Sequence, residues 1–436
     1  MNTVEIMRIL EDWNFWKSPW EEGFPRPFYL EKMVKQVGSG QVMVITGSRR
    51  SGKSFLMRQL ASILVRDGAK KEDILFVNFE DPRWLRRDVA LLDEVFSTYR
   101  DLQKPTHRPY VFLDEVQEVE GWERWVRTMH ELGKATIIIS GSNAKLLSRE
   151  LGTVLTGRHV DTVVYPLSFR EFLSFRGISD VASESAVSLG GYFREYLSKG
   201  SFPALAGLTG GSREWFLAFY DDVLEKDLVG RFRIRKPEAL KSLLNYAMSN
   251  ISKPMTANAA SKFLNIAPDT ADKFLGYFEQ AYLLFALKRF SSGVKEQQKS
   301  PRKIYAIDTA LAGAIGFRMS EDFGRMAENI VYIEYLRRQV VDPEIELYYW
   351  KDVQAGVSGK EVDFVVKRGT RISEVVQVCM GDFAGETKKR EMRALAQAAK
   401  KLRPERLLVI TEEYEEVVRY EYGEVSFVPL HTWLIS

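Results

Sequence analysis

In the first 165 residues, short apolar runs alternate with longer segments whose apolar side chains recur every three or four positions. Residues 41–46, 74–80, 110–114 and 136–140 have the length and continuous hydrophobicity of strands buried on both faces, whereas 53–67, 90–101 and 122–132 show helical spacing. That alternation predicts a parallel sheet, and right-handed crossovers would place its helices on both faces. Residues 1–40 form an amphipathic lead-in, aromatic-rich at 13–20 and broken by the turn-former Phe24-Pro25-Arg26-Pro27. After Tyr165-Pro166 the period changes. Helical spacing dominates 167–250, interrupted by glycine turns at 189–191 and 207–211. Three helical segments follow between 237 and 287, then a strand pair at 285–290 and 303–307 around the polar loop 291–302. From about 320 the pattern reads helix, three strands, helix, strand.

Chemistry enters at the end of the first strand. Gly47-Ser48-Arg49-Arg50-Ser51-Gly52-Lys53-Ser54 fits the phosphate-binding spacing G-x-x-x-x-G-K-[ST], between an apolar strand and a helix that continues through Phe55. Glycines let such a loop wrap so that its N–H groups face phosphates, with the dipole of the next helix behind them. Lys53 is then expected to reach the β- and γ-phosphates, and the Ser54 hydroxyl to ligate Mg²⁺. The strand 110–114 ends in Asp114-Glu115. Asp114 is expected beside Ser54 in the Mg²⁺ shell, and Glu115 where it can orient or deprotonate the attacking water. The next strand leads to Gly141-Ser142-Asn143, where Ser142 or Asn143 can meet the γ-phosphate or the water, or else cap a helix over 144–149. Gly157-Arg158 offers a cation for transition-state charge, an arginine finger, against the plainer reading of a surface arginine.

Composition narrows the class. The 436 residues are 45% hydrophobic and 28% charged, which suits a globular chain of about three domains. A net charge of +3 is too weak to argue for nucleic acid by itself, so any basic patch must be local. One cysteine, Cys379, excludes an internal disulfide framework and a cysteine zinc site, and suits a reducing cytoplasm. No apolar run approaches the length of a membrane span, and no targeting segment is expected.

Two later stretches resemble known modules. Residues 240–310 resemble a winged helix, with 256–264 and 270–283 as the helix-turn-helix pair. The outer face of the second helix would carry Asp269, Asp272, Lys273, Glu279 and Gln280, which is not basic. The wing with Lys288, Arg289, Lys295, Lys299, Arg302 and Lys303 could meet DNA phosphates. Protein packing is the competing use. The tail resembles a PD-(D/E)xK nuclease core, with Glu328 on a helix, Asp363 on one strand and Gln377 on the next. In an active enzyme an acid would stand at Gln377 and a lysine at Cys379. Glu374 lies on the opposite strand face, and Lys388 or Lys389 would have to migrate in. The expectation is a degenerate nuclease fold used for binding.

With these residues assembled, the chain resembles prokaryotic, especially archaeal, AAA-type ATPases that carry a C-terminal domain of unknown function. The carrying stretches are Asp12-Trp13-Asn14-Phe15-Trp16, the phosphate loop, Leu113-Asp114-Glu115-Val116-Gln117, Ser140-Gly141-Ser142-Asn143, Leu155-Thr156-Gly157-Arg158 and Tyr165-Pro166-Leu167-Ser168-Phe169-Arg170-Glu171-Phe172. The resemblance implies ATP as the nucleotide, Gln117 near the catalytic acid, and Arg158 acting on a nucleotide, its own or a neighbour's in a homo-oligomer. The expected architecture is an α/β P-loop sheet with helices on both faces over 1–166, a helical connector over 167–236, a winged helix over 237–318 and a nuclease-like α/β domain over 319–436. The expected function is Mg²⁺-dependent ATP hydrolysis coupled to binding or remodelling DNA. The alternatives are a nucleotide-switched protein scaffold and an ATP-gated nuclease.

Overall fold

The computed structural model describes residues 1–143, 157–178, 180–181, 184–208, 210–291, 293–317, 322–352, 360–381 and 385–436. The proposed cap segment 144–149, the motif residues Leu155 and Thr156, and the 318/319 boundary lie outside them. The chain forms two compact units, Met1–Tyr165 and Pro166–Ser436.

The first unit is built on β1 (Val42–Gly47), β2 (Ile74–Asn78), β3 (Tyr110–Asp114), β4 (Thr136–Gly141) and β5 (His159–Val164). All four pairings are parallel, in the order β2-β3-β4-β1-β5. This is a five-stranded parallel sheet of P-loop type. Helices α1 (Thr3–Trp13), α2 (Pro27–Val37), α3 (Lys53–Arg66), α4 (Val89–Gln103) and α5 (Trp122–Glu131) connect or flank it. The central strands are buried on both sides, which is why they read as unbroken apolar runs. β5 was not foreseen: it is short, carries His159 and Asp161, and is buried only at Thr162 and Val164.

The lead-in closes an edge. β2 is an outer strand, and outer strands present unpaired N–H and C=O groups. Asn14 supplies both partners: its Nδ2 donates to Phe76 O at 2.9 Å and its Oδ1 accepts from Phe76 N–H at 2.7 Å. Trp16 Nε1 donates to Ile74 O, and Trp13 Nε1 to Asp81 Oδ2. The aromatic motif therefore covers a sheet edge.

The second unit begins with helices, including Phe169–Phe175 and Ala186–Lys199. Then come a helix Pro237–Ser249, β6 (Pro254–Met255), helices Ala257–Leu264 and Pro268–Gln280, β7 (Leu284–Leu287), a short helix Val294–Lys299 and β8 (Arg302–Ala306). These strands make an antiparallel sheet ordered β6-β8-β7. The tail carries helix Phe323–Val341, β9 (Ile345–Lys351), β10 (Glu361–Arg368), β11 (Arg371–Cys379), helix Gly385–Leu402, β12 (Arg406–Thr411), β13 (Glu416–Tyr420) and β14 (Gly423–Pro429). They form one mixed sheet, β13-β14-β12-β11-β10-β9. One face packs on helix Phe323–Val341 and buries Phe364, Val376 and Leu408; the other packs on helix Gly385–Leu402 and buries Val362, Val375 and Val409. β13 and β14 were missed because glutamates crowd residues 412–424 and β13 is an outer strand with little burial. No helix among the described residues is long and apolar enough to cross a membrane.

Candidate functional site

The phosphate loop leaves β1 where the strand order reverses, the position at which open α/β sheets bind ligands. Its backbone explains its glycines. Gly47 has φ +147°, and a Cβ there would stand 2.2 Å from Val164 O, so no other residue fits. Gly52 (φ +98°) turns the chain into α3, and Arg50 also takes positive φ. Lys53 is 4% exposed; its Nζ donates to Gly47 O (3.3 Å) and Ser48 O (3.2 Å) and sits 3.1 Å from Glu115 Oε1.

β3 delivers the two acids. Asp114 is fully buried and accepts from the Ser140 hydroxyl of β4. The same Ser140 Oγ accepts the Glu115 N–H at 3.0 Å, so one hydroxyl fixes both acidic residues. Burial, then the neighbouring Glu115 charge, pushes Asp114 up to about 6 despite hydrogen bonds from Ser140 and Ser54. Glu115 takes a left-handed backbone, φ +51°, which costs a non-glycine residue about 1 kcal/mol and turns its side chain toward Lys53. Its Oε2 accepts from Gln117 Nε2 (2.5 Å) and from Ser142 N–H (3.2 Å). Burial alone would raise Glu115, but Lys53, Gln117 and Arg49 outweigh it and hold the group below the usual range.

Several buried polar atoms here lack partners: Ser48 Oγ, Ser51 Oγ, Asp114 Oδ2, Gln117 Oε1 and Ser142 Oγ. Leaving a buried polar atom unmet costs about 1–3 kcal/mol. So dense a group marks a place built for a polar ligand, and hard oxygens beside a lysine suit a nucleotide phosphate with Mg²⁺. Ser54 and Asp114 are the residues that would hold the metal.

The remaining sequence-derived candidates sort by position. Ser142 and Asn143 are buried at the carboxyl end of β4. Arg49 pairs with Glu80 at 2.6 Å, and Phe55 is exposed at the start of α3, against Gly23. Arg158 is elsewhere. Its carbonyl accepts the Val42 N–H at the start of β1, and its guanidinium pairs with Glu131 at 2.8 Å. In the β1–β5 register Val42 faces His159 and Gly47 faces Val164, so Arg158 is about a strand length, roughly 16 Å, from its own loop. That distance separates Arg158 from the phosphate loop of its own chain.

Sequence reasoning missed Arg26. It is 3% exposed, lies over the Tyr29 ring, and donates to Ser51 O in the loop and Tyr165 O after β5, each at 2.9 Å. Its only sequence signal was its place in a turn between two prolines. Arg26 is a positioning residue: Arg26→Lys, which lacks the fork, should weaken ATP binding about tenfold, a loss of the size of one charge-assisted hydrogen bond. Isothermal titration with ATP below the melting temperature checks this; an unchanged affinity with a lowered melting point would make Arg26 purely structural.

In the second unit the wing differs from expectation. Arg289 and Lys303 are buried, Arg289 pairs with Glu296, and Arg302 faces Asp272, which removes three of the six basic residues from DNA contact. Lys288, Lys295 and Lys299 are exposed. The helix Pro268–Gln280 exposes Asp269, Asp272 and Lys273, whereas Glu279 is half-buried and accepts the Ala286 N–H. In the tail, Glu328 and Asp363 do converge, and the lysine that joins them is Lys303 of β8. Lys388 instead lies over the Tyr414 ring. Gln377 donates to Asp363, Glu374 accepts from Tyr335 on the other face, and burial pushes the Cys379 thiol up to about 11.

Residues 39–173 match the family model described as an AAA domain, and 190–321 and 323–433 match two domains of unknown function (DUF8612 and DUF4143). An uncharacterised protein of Methanocaldococcus jannaschii is 30% identical over 412 residues, 91% of this chain and 88% of that one. One from Haemophilus influenzae is 30% identical over 356 residues, 80% and 84% of the two chains. Among solved structures, the Walker-type ATPase of Pyrococcus abyssi is 15% identical with a TM-score of 0.47, over 67% of this chain and 95% of that one. AMPPCP-bound DnaA from Aquifex aeolicus is 14% identical with a TM-score of 0.30, over 62% and 92%.

Proposed function

This chain belongs to the AAA-domain family that includes the uncharacterised M. jannaschii protein, and from that premise we propose that it is a Mg²⁺-dependent, ATP-hydrolysing switch. The buried Lys53–Glu115 pair carries the reading. Without nucleotide, Lys53 is spent on Glu115 and two loop carbonyls. An incoming γ-phosphate competes for the same ammonium with more charge, so Lys53 transfers to it and Glu115 loses its strongest partner. Glu115 then accepts a proton from the attacking water, oriented by Gln117 and the Ser142 N–H. Ser142 and Asn143, buried just after β4, are the further candidates to meet the γ-phosphate. Ser54 and Asp114 would hold Mg²⁺, which would supply charge neutralisation on the phosphates.

Asp114 gives this a pH dependence. With its carboxyl raised to about 6, it is ionised at pH 7.5 and mostly protonated at pH 5, and the proton competes with the cation. Apparent Mg·ATP affinity should therefore fall about tenfold between those values, and Asp114→Asn should flatten the profile. A wild-type profile that is flat from pH 7.5 to 5 would rule Asp114 out of cation binding.

Arg158 is exposed and far from its own phosphates, so a role in hydrolysis requires a neighbouring copy's site. Arg158→Ala should then lower turnover only at protein concentrations where the chain self-associates, with ATP affinity unchanged.

For the accessory units we favour a protein partner over DNA. The helices and strands across 237–306 resemble those of a winged helix, and with exposed Lys288, Lys295 and Lys299 that resemblance supports a DNA-handling reading. Against it, the outer face of helix Pro268–Gln280 is acidic and half of the wing cations are buried or paired. The test is ATP turnover with and without single-stranded, duplex and branched DNA at two salt concentrations. Turnover indifferent to DNA supports a switch acting on protein; stimulation that fades with salt would establish the DNA reading through counterion release.

A further inference from the structure

The second unit holds a groove of about 1310 Å³ that the phosphate site does not use. One wall lies at the carboxyl ends of β11, β12 and β14, which run parallel and so deliver Met380, Glu412 and Pro429 to a single edge. Crevices at that edge of an α/β sheet are common ligand sites. Helices Ala186–Lys199 and Thr309–Ile315 supply the other walls. Their lining positions include small residues: Gly190 on the first, and Ala310, Gly313 and Ala314 on the second. A Cβ added at Gly190 or Gly313 would meet nothing within 4 Å, so the space above both is open. Phe193, Leu197, Met326 and Leu430 make the lining apolar, and Val187, 83% exposed, stands at the rim. We propose that this groove binds an amphipathic helix of a partner protein, with acidic residues along one flank and basic residues along the other.

Charge sets the two flanks. Arg194 and Arg213 come from the helical side, and neither has an acidic partner among the described residues. Glu195 beside them is already taken by Arg176 and Lys199. Glu413 and Glu415 come from the strand-end wall, exposed and likewise without a basic partner among the described residues. Glu412 instead accepts the Gly381 N–H at 2.9 Å. An occupant therefore meets free cations on one wall and free anions on another.

His431 is a second, independent sign of a ligand. Its ring lines the groove, is only 7% exposed, and has no hydrogen-bond partner among the described residues. Burial holds it below the usual histidine range, against the pull of Glu413 and Glu415, so the ring is uncharged at neutral pH. An uncharged imidazole carries one donor and one acceptor, and leaving both unmet in an interior is unfavourable.

Size and shape favour a helix over a small molecule. The volume exceeds the roughly 300–1,000 Å³ of small-molecule pockets. A helix about 10–12 Å across rises about 1.5 Å per residue, so the groove holds roughly eight to eleven residues, two to three turns. An extended peptide would need an unpaired strand edge, and neither outer strand, β9 or β13, lines the groove. Small residues at i, i+3 and i+4 of helix Thr309–Ile315 instead let a second helix approach closely.

This inference rests on the reading of the accessory unit as one that binds protein. The test selects a displayed library of helical peptides, about eleven residues long, against the nucleotide-free full chain. Recovered peptides are synthesised and their affinity is read by fluorescence anisotropy. Affinity is read without ATP, so a switch that responds to DNA and a groove that binds no helix are separate outcomes. The recovered sequences should share apolar residues three and four apart, with acids on one flank and bases on the other, and should gain helical circular dichroism on binding. Gly313→Trp and Gly190→Trp fill open space and should each weaken binding about tenfold or more, with ATP affinity unchanged. Reversing the arginines (Arg194→Glu with Arg213→Glu) should cut affinity about tenfold, and a peptide whose acidic flank is made basic should recover it. The proposal fails if no peptide is recovered, if the filled variants that fold bind as tightly as wild type, if the bound peptides are not helical, or if reversing the arginines leaves affinity unchanged.

Discussion

Glu115→Gln should lower ATP turnover by about 10²–10⁴-fold, the usual contribution of a positioned general base, while ATP remains bound. The amide preserves the shape of a side chain that is nearly buried and held on a left-handed backbone turn. It can still accept from Gln117 and the Ser142 N–H, so the loop at the end of β3 stays folded. It cannot take a proton, and it no longer binds Lys53 as an ion pair. Freed from that pair, Lys53 is more available to phosphate, so ATP affinity should be equal or higher. Single-turnover hydrolysis beside calorimetric ATP binding separates the effects. Turnover within tenfold of wild type would remove Glu115 from the proton transfer.

Lys53→Ala should abolish measurable ATP binding and also destabilise the nucleotide-free first unit. Both follow from one ammonium serving two partners in turn. Deleting one partner of a buried ion pair typically costs about 3–5 kcal/mol, because the other charge is left in low dielectric. Here Gln117 and the Ser142 N–H still hold Glu115, and proton uptake relieves part of the cost, so the lower end applies. The double variant Lys53→Ala/Glu115→Gln should recover most of that stability, since neither charge remains, yet still fail to bind ATP. Denaturant melts of all four proteins complete the cycle. Destabilisation of the double variant equal to the sum of the two single effects would show that Lys53 and Glu115 are not coupled.

How legible the site was differs from residue to residue. The phosphate loop was readable because its backbone demands glycine at fixed offsets: Gly47 has Val164 O where any Cβ would go. Asp114 and Glu115 were readable because two acids after an apolar strand have few other reasons to be there. Ser140 was not, since a serine ending a strand gives no local sign that its hydroxyl bridges Asp114 and the Glu115 backbone. Nor was Arg26, whose partners Ser51 and Tyr165 lie 25 and 139 residues away. Arg158 is the opposite case: the motif suggested phosphate, and the β1–β5 register puts the residue at the far end of the strands.

The sequence by itself determined the elements whose signal is local. These are the buried parallel strands, the helices between them, and the loop whose Gly47 leaves no room for a Cβ. Tertiary structure decided which distant charges meet. Lys303 looked like one more cation in a basic loop, and only the packing of β8 against helix Phe323–Val341 and β10 turns it inward onto Glu328, Glu361 and Asp363. The physical reason is range. Backbone preference and hydrophobic period act over a few residues and so are written in neighbours, whereas the partner of a buried charge is set by the fold, which brings together groups far apart along the chain.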